Sequence, residues 1–449
     1  MLIHIAKKEI FEHINSFRFI VAFLFILTIF VIMMFTRHFE YQAKYHDYLL
    51  RVKAQEESLT NYANYNRVEA LAKPIVPPSP MEIIVAPAVT GDVIETGPSL
   101  DDDPLNTISI NLDIIALVGL LGSLLALLLS YDSVNREVHE RTLRLLLSFA
   151  VSRIKIIFGK ILGGSTAALL PIVSIFILIS LWLAITGANG WDATHWVSFL
   201  GIFLISIIYI MFFYCLGAFL SSIIIDQVLS ALSCFAIWSV FAIIIPTVSP
   251  YIARAIIKIP DSGQVQREIS HIMNVEREDA IRNKIQPLLA QGLSFEEAWV
   301  EGNLSELNFI YFERIRGLQD NLRTAATRQV KFSVQIACLS PYSLYLFSIE
   351  ELSGLGISRF QHLMNVIKNW QDKAEEYLNH KYAEARRLNP SHTIEDKLDV
   401  SDGPRFKSVD PSFSYKFSHA LPYLLLLMAY FLLPIFLFLF TFNSKRTLL

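Results

Sequence analysis

The pair Gly159-Lys160 is the nearest thing in this chain to a phosphate-binding signature, and its surroundings do not fit. A nucleotide-cradling loop has the form G-x-x-x-x-G-K-[ST], so that backbone amides, the lysine and a hydroxyl converge on phosphate and magnesium. Here no glycine stands at the required distance before the pair, and Ile161 follows the lysine. The chain is therefore not expected to hydrolyse ATP, and no cofactor or metal is expected in it. Glu376 and His380, at i and i+4, are two ligands without a third, and solvated helix residues explain them better. His139 and His195 sit near opposite ends of apolar runs, and no Ser-His-Asp or Cys-His arrangement can be assembled around them. Asp113, Asp132 and Asp226 also flank apolar runs, where helix capping or snorkelling to water is the expectation; no charge lies mid-run.

The elements that carry these residues are mostly apolar. Of 449 residues, 53% are hydrophobic and only 18% charged, with a mean hydropathy of +0.44. That balance excludes a soluble protein of this length, and the absence of a basic domain excludes nucleic acid as a partner. Six runs are long enough to cross a bilayer, which takes ~20 helical residues: 17–35, 110–131, 161–186, 197–221, 228–247 and 419–441. The first run has no small-residue cleavage site and reads as a retained helix. An even number of crossings puts both termini on one side. Lys and Arg concentrate on residues 1–18, the 132–160 loop and the 442–449 tail, which places that side in the cytoplasm of a plasma (inner) membrane. The fold class is thus an all-α membrane protein with six transmembrane helices. Two extracytoplasmic segments are expected, a large helical one (248–418) between spans 5 and 6 and a smaller one (36–109) between spans 1 and 2. Among the three cysteines, only Cys338 lies in an exposed segment, so no disulfide can staple it.

The 132–160 loop is charged and helical in pattern. Leu143, Leu146, Leu147, Ala150 and Val151 recur at helical spacing, with Arg141 and Arg144 on the wet side. Glu140, Thr142-Leu143, Leu145-Leu146-Leu147-Ser148, Val151-Ser152-Arg153 and Gly159-Lys160 together resemble the type-2 ABC exporter permeases. More narrowly, they are similar to the branch associated with multi-copper enzyme maturation. Arg141 and Ala150 stand where that family has Gly and Pro, and both replacements favour continuous helix. The resemblance implies a coupling helix at 137–153 that docks on a separate ATPase subunit, which would bind the ATP and magnesium. Glu137, Glu140, Arg141 and Arg144 would contact the ATPase, Leu143, Leu146 and Leu147 would seat the helix against the bundle, and Thr142, Ser152 and Arg153 complete the motif. It also implies pairing with a second copy of the chain or a related permease. An alternative fits the same helix: a mechanical or assembly factor acting on an extracytoplasmic protein without moving a cargo.

Outside the loop, residues 1–16 read as an interfacial connecting helix. Ile3, Ala6, Ile10, Ile14 and Phe17 share its apolar face, and Lys7, Lys8, Glu9 and Glu12 turn away. Residues 39–72 have helix-forming composition and extend the first span as a stalk, after which Pro-rich sequence predicts extended loop with a short strand. Within 248–418, helices are expected near 263–290, 294–301, 305–338, 341–352 and 359–387. Their signals are capping boxes at Ser294/Glu297 and Ser358/Gln361, a Ser340-Pro341 start and a break at Gly354 and Gly356. Phe19, Phe23, Phe25 and Phe30 in the first span and Tyr209, Phe212, Phe213 and Tyr214 in the fourth read as lipid-facing packing, with the lining of an apolar or lipid-like cargo site as the alternative, and Gly163-Gly164 and Gly217/Ser221 as places for close helix approach.

Overall fold

A computed structural model describes residues 2–61, 74–87, 113–140, 153–186, 191–389, 400, 402–408 and 410–444. The chain divides into two compact units. The larger one, described over most of residues 2–246 and 338–444, holds α1 (Leu2–Ile14), α2 (Phe17–Asn61), α3 (Ile114–Ser130), α4 (Asn135–His139), α5 (Arg153–Thr186), α6 (Ala193–Ile223) and α7 (Gln227–Ser239). A π turn, Val240–Ile244, joins α7 to α8 (Ile245–Ile256), where the chain passes into the second unit. That unit contains α9 (Ser262–His271), a second π turn (Ile272–Glu276), α10 (Arg277–Ala290), α11 (Phe295–Glu301) and α12 (Leu304–Ala337). The chain returns to the first unit as α13 (Pro341–Ser353), α14 (Ile357–Leu388) and α15 (Phe413–Ser444).

Six helical segments are long and apolar enough to cross a membrane: Phe17–Glu57, Ile114–His139, Ile154–Thr186, Ala193–Ile223, Gln227–Ile256 and Phe413–Thr441. They coincide with the six apolar runs. α2 continues well past the first run, as the stalk composition implies, and is helical to Asn61. The caps follow local chemistry: Asp113, Asp192 and Asp226 start α3, α6 and α7 by accepting from backbone amides inside the first turn.

α6 is the centre of the first unit, with α3, α5, α7, α13 and α15 packed around it. Tyr209, Phe212, Phe213 and Tyr214 are all buried in that contact. The lipid-facing reading of these rings is therefore wrong, because a helix surrounded by five others has no lipid face there. Close approach is set by small residues, as expected. A side chain on Gly164 would run into the Tyr214 ring, and one on Gly217 into Ser130.

The stretch between spans 5 and 6 does not behave as one external domain. Residues 247–337 form the second unit, whereas α13 is buried in the first. Tyr345 stacks on Tyr209 with ring centroids 4.3 Å apart, and its hydroxyl lies 3.1 Å from Ser206 Oγ. Leu352 packs against Gly201, while Ser340 Oγ donates to the carbonyl of Phe241, midway along the fifth span. α13 thus enters about halfway down the helices and runs back antiparallel to α6. Its boundaries follow the sequence signals. Ser340 Oγ accepts from the amides of Tyr342 and Ser343, Pro341 opens the first turn, and Gly354 closes it at φ +76°. The Ser294/Glu297 box forms, but the Ser358 one does not. Gly356 caps α14, and the Ser358 amide and hydroxyl both go to Glu351. In the Pro-rich segment the described residues 74–87 hold a 3₁₀ turn, Pro80–Ile83, rather than a strand.

Candidate functional site

The end of the bundle that carries the 132–160 loop is built on one buried lysine. Lys160, in the second turn of α5, is 4% exposed. Its ammonium lies 2.8 Å from Glu9 Oε1 on α1 and 2.9 Å from Glu137 Oε1 on α4, and donates to the carbonyl of Ser133 at 2.9 Å. Both carboxylates are buried as well. An ion pair this far from water is held by Coulomb attraction and hydrogen bonds together, and losing one partner leaves a bare charge inside the protein. Around this centre lie outer, wetter pairs: Arg136 with Glu12 at 3.1 Å and Arg18 with Asp132 at 3.4 Å. His13 sits one turn beyond Glu9, its Nε2 3.7 Å away, and burial pushes it below its ordinary value despite that carboxylate.

Glycines bring these helices close enough to pair. A side chain on Gly163 would meet the carbonyl oxygen of Ala6 at 2.6 Å, and one on Gly159 would meet Ile5 Cγ2 at 2.9 Å. α1 therefore lies directly on the backbone of α5. This rotates the connecting helix from its expected setting. Glu9 and His13 face inward, whereas Ile3 and Phe11 are among its exposed residues, as is Phe17 at the start of α2. Apolar periodicity alone could not show this, because the inward face is fixed by a charge 151 residues away. α4 is anchored independently: Ser221 Oγ at the end of α6 accepts from the amides of Val134 and Asn135, at 3.0 and 3.1 Å.

Of the motif residues, Arg141, Thr142, Leu143, Arg144, Leu146, Leu147 and Ser152 lie outside the described residues. Glu140 ends α4 and is exposed, and Arg153 opens α5. Glu137 is not on a free face; its carboxylate is turned into the bundle toward Lys160, so its role is internal. By sequence Lys160 belongs to the basic loop, and its burial is a tertiary fact. Glu9, His13 and Lys160 are the residues sequence reasoning missed here. The signal available for them was Gly159-x-x-x-Gly163, a small-residue pair flanking the lysine on one helix. The other positions weighed for chemistry are structural. His195 is held by Asp192 at the start of α6, and Glu376 and His380 are exposed on α14.

Among the described residues, the arrangement offers no nucleophile or acid–base pair set for turnover. It offers a rigid joint that locks α1, α4 and α5 at both edges of a basic loop. No curated protein matches the chain. The sequence pattern of the ABC-2 family transporter proteins matches residues 3–445, from the start of α1 to the end of α15, and the chain belongs to that family of membrane-spanning transporter subunits.

Proposed function

We propose that this permease is driven by a separate ABC ATPase docking on the 137–153 loop, and that it works as an exporter. The observation that carries the reading is the Glu9–Lys160–Glu137 joint. It ties the residues before the loop, the residues after it and the connecting helix into one body. A push on the loop would then move α1, α4 and α5 together instead of being absorbed by a slack linker. Glu140, Arg141, Arg144 and Arg153 supply the polar contacts to the ATPase, and Leu143, Leu146 and Leu147 seat the helix. ATP and magnesium belong to the partner. The basic loop and termini face the cytoplasm of the inner membrane, and two copies, or one copy and a related permease, complete the pathway.

The test is purification of the tagged chain from its native host in mild detergent, with mass spectrometry of what accompanies it. A stoichiometric ATPase that is lost on Leu146→Asp, in a variant that still elutes as a single species, supports the reading. No ATPase in any detergent, or one retained by Leu146→Asp, refutes docking through this helix. A third, extracytoplasmic protein in the complex would favour the mechanical alternative over cargo export.

A further inference from the structure

Among the described residues, the buried charged side chains of the first unit meet a partner within hydrogen-bond distance, with two exceptions. Glu9, Glu137 and Lys160 hold one another, and Asp132 takes Arg18. Asp113 accepts from the amides of Ala86 and Ala116, and Glu351 from the amide and hydroxyl of Ser358. Arg359 and Lys416 lie as deep, at 5% and 4% exposed, without such partners. Arg359 Nε is buried with no hydrogen bond, and the half-exposed carboxylate of Asp410 stands 3.8 Å from Nη2, beyond hydrogen-bond reach. The Lys416 ammonium forms no ion pair with a described residue; Asp410 and Asp192 act on it only from farther away.

These two cations are neighbours. Arg359 stands in the first turn of α14 and Lys416 in the first turn of α15, and the two turns lie side by side. The Tyr415 hydroxyl donates to the carbonyl of Ser358 at 3.4 Å, the rings of Tyr415 and His362 are 5.5 Å apart, and Arg359 acts electrostatically on Lys416. Like charges withdrawn from water repel, and one carboxylate out of contact balances them poorly. Their level in the bundle is the one Asp192 marks at the start of α6, whereas the other end of α6 holds α4 through Ser221. Lys416 also opens the sixth membrane-crossing segment. Below it Phe417, Leu421 and Leu425, four residues apart, are exposed along one face of α15.

We infer that Arg359 and Lys416 form a site for a phosphate group at the end of the bundle away from the basic loop. A guanidinium offers phosphate a planar fork of donors, and the ammonium adds a point charge beside it. A bound phosphate supplies the hydrogen bonds and the negative charge that the protein itself does not. The position, at the head of an apolar helix face, is where a phospholipid carries its phosphate, with an acyl chain along Phe417, Leu421 and Leu425.

Native mass spectrometry of the full-length protein, delipidated in detergent and titrated with dioleoylphosphatidylglycerol, tests this. Dioleoylglycerol, the same chains without phosphate, and inorganic phosphate are the comparison probes. The phospholipid is expected to bind more tightly than dioleoylglycerol. Lys416→Gln and Arg359→Gln should each weaken it about tenfold or more, the loss of one charge-assisted hydrogen bond. Asp410→Asn, which removes the competing carboxylate, should tighten it. Inorganic phosphate bound in a manner that the same glutamine variants abolish, with no lipid preference, would keep the site and make free phosphate its ligand. Equal binding of the two lipids with no phosphate bound, or phospholipid binding unchanged in both glutamine variants, would overturn the inference. So would weaker binding in Asp410→Asn. If the glutamine variants do not fold, the lipid comparison and Asp410→Asn still decide.

Discussion

Lys160 concentrates the energetics of the inner joint in one side chain. Replacing it with Met removes the ammonium between the buried Glu9 and Glu137 carboxylates, which should cost about 3–5 kcal/mol. Neutralising all three with Glu9→Gln, Lys160→Met and Glu137→Gln should recover most of that loss, because no bare charge remains. Thermal unfolding in one detergent checks both. A single variant as stable as the wild type would show that the ammonium is not buried between the carboxylates. Gly354 is a second single-residue dependency. It ends α13 in the left-handed region at φ +76°, and an added side chain would meet Lys416 Cε at 2.6 Å. Gly354→Ala should therefore destabilise by about 1–2 kcal/mol, read by the same melt.

At the scale of elements, the contact between α1 and α5 depends on two glycines one turn apart. Gly163→Leu places a branched side chain where the Ala6 carbonyl now lies and should lift α1 from the bundle. Trypsin cutting at Lys7 and Lys8 reports this directly. Faster release of the N-terminal peptide in the variant is expected, and an unchanged rate would place α1 elsewhere. The helix boundaries of this region and of α9–α14 were largely legible from sequence, because caps and breaks are local: Ser294 with Glu297, Ser340 with Pro341, and Gly354 all act within a turn. The depth of α13 was not legible. By sequence, with Ser340, Ser343, Ser348, Glu350, Glu351 and Ser353, it belongs to the external helical segment. It is buried because Ser206, the Phe241 carbonyl and Ser358 satisfy its polar groups from other elements.

For the whole molecule, the division into units changes which part is separable. The second unit enters and leaves at neighbouring points, since Gln329 Nε2 donates to the carbonyl of Ile257 at 2.7 Å. Replacing residues 258–328 with a short Gly-Ser turn should leave the first unit folded, whereas removing 263–387 takes α13 out of its core. Circular dichroism and size-exclusion elution of the two deletions check this. A collapsed first protein, or an intact second one, would contradict the assignment of α13. The 258–328 deletion also separates the two functional readings. Retained cargo movement favours a transporter whose second unit is accessory, and its loss with ATPase binding intact favours a unit that acts on a partner.

What the sequence by itself determined is the class of the protein. Six apolar runs of bilayer length, their caps and the basic loop between the second and third are local properties of composition and spacing, and the family pattern lies in them as well. What only the tertiary structure decided is where the polar residues of those elements go. Glu9, Glu137 and Lys160 look solvated one at a time, and they are buried because folding brings charges from three helices within 3 Å of one another. Asp113 and Ala86 stand in the same relation at the opposite end of α3. Periodicity reports which face of a helix is apolar. It does not report which distant partner makes a charged face the buried one.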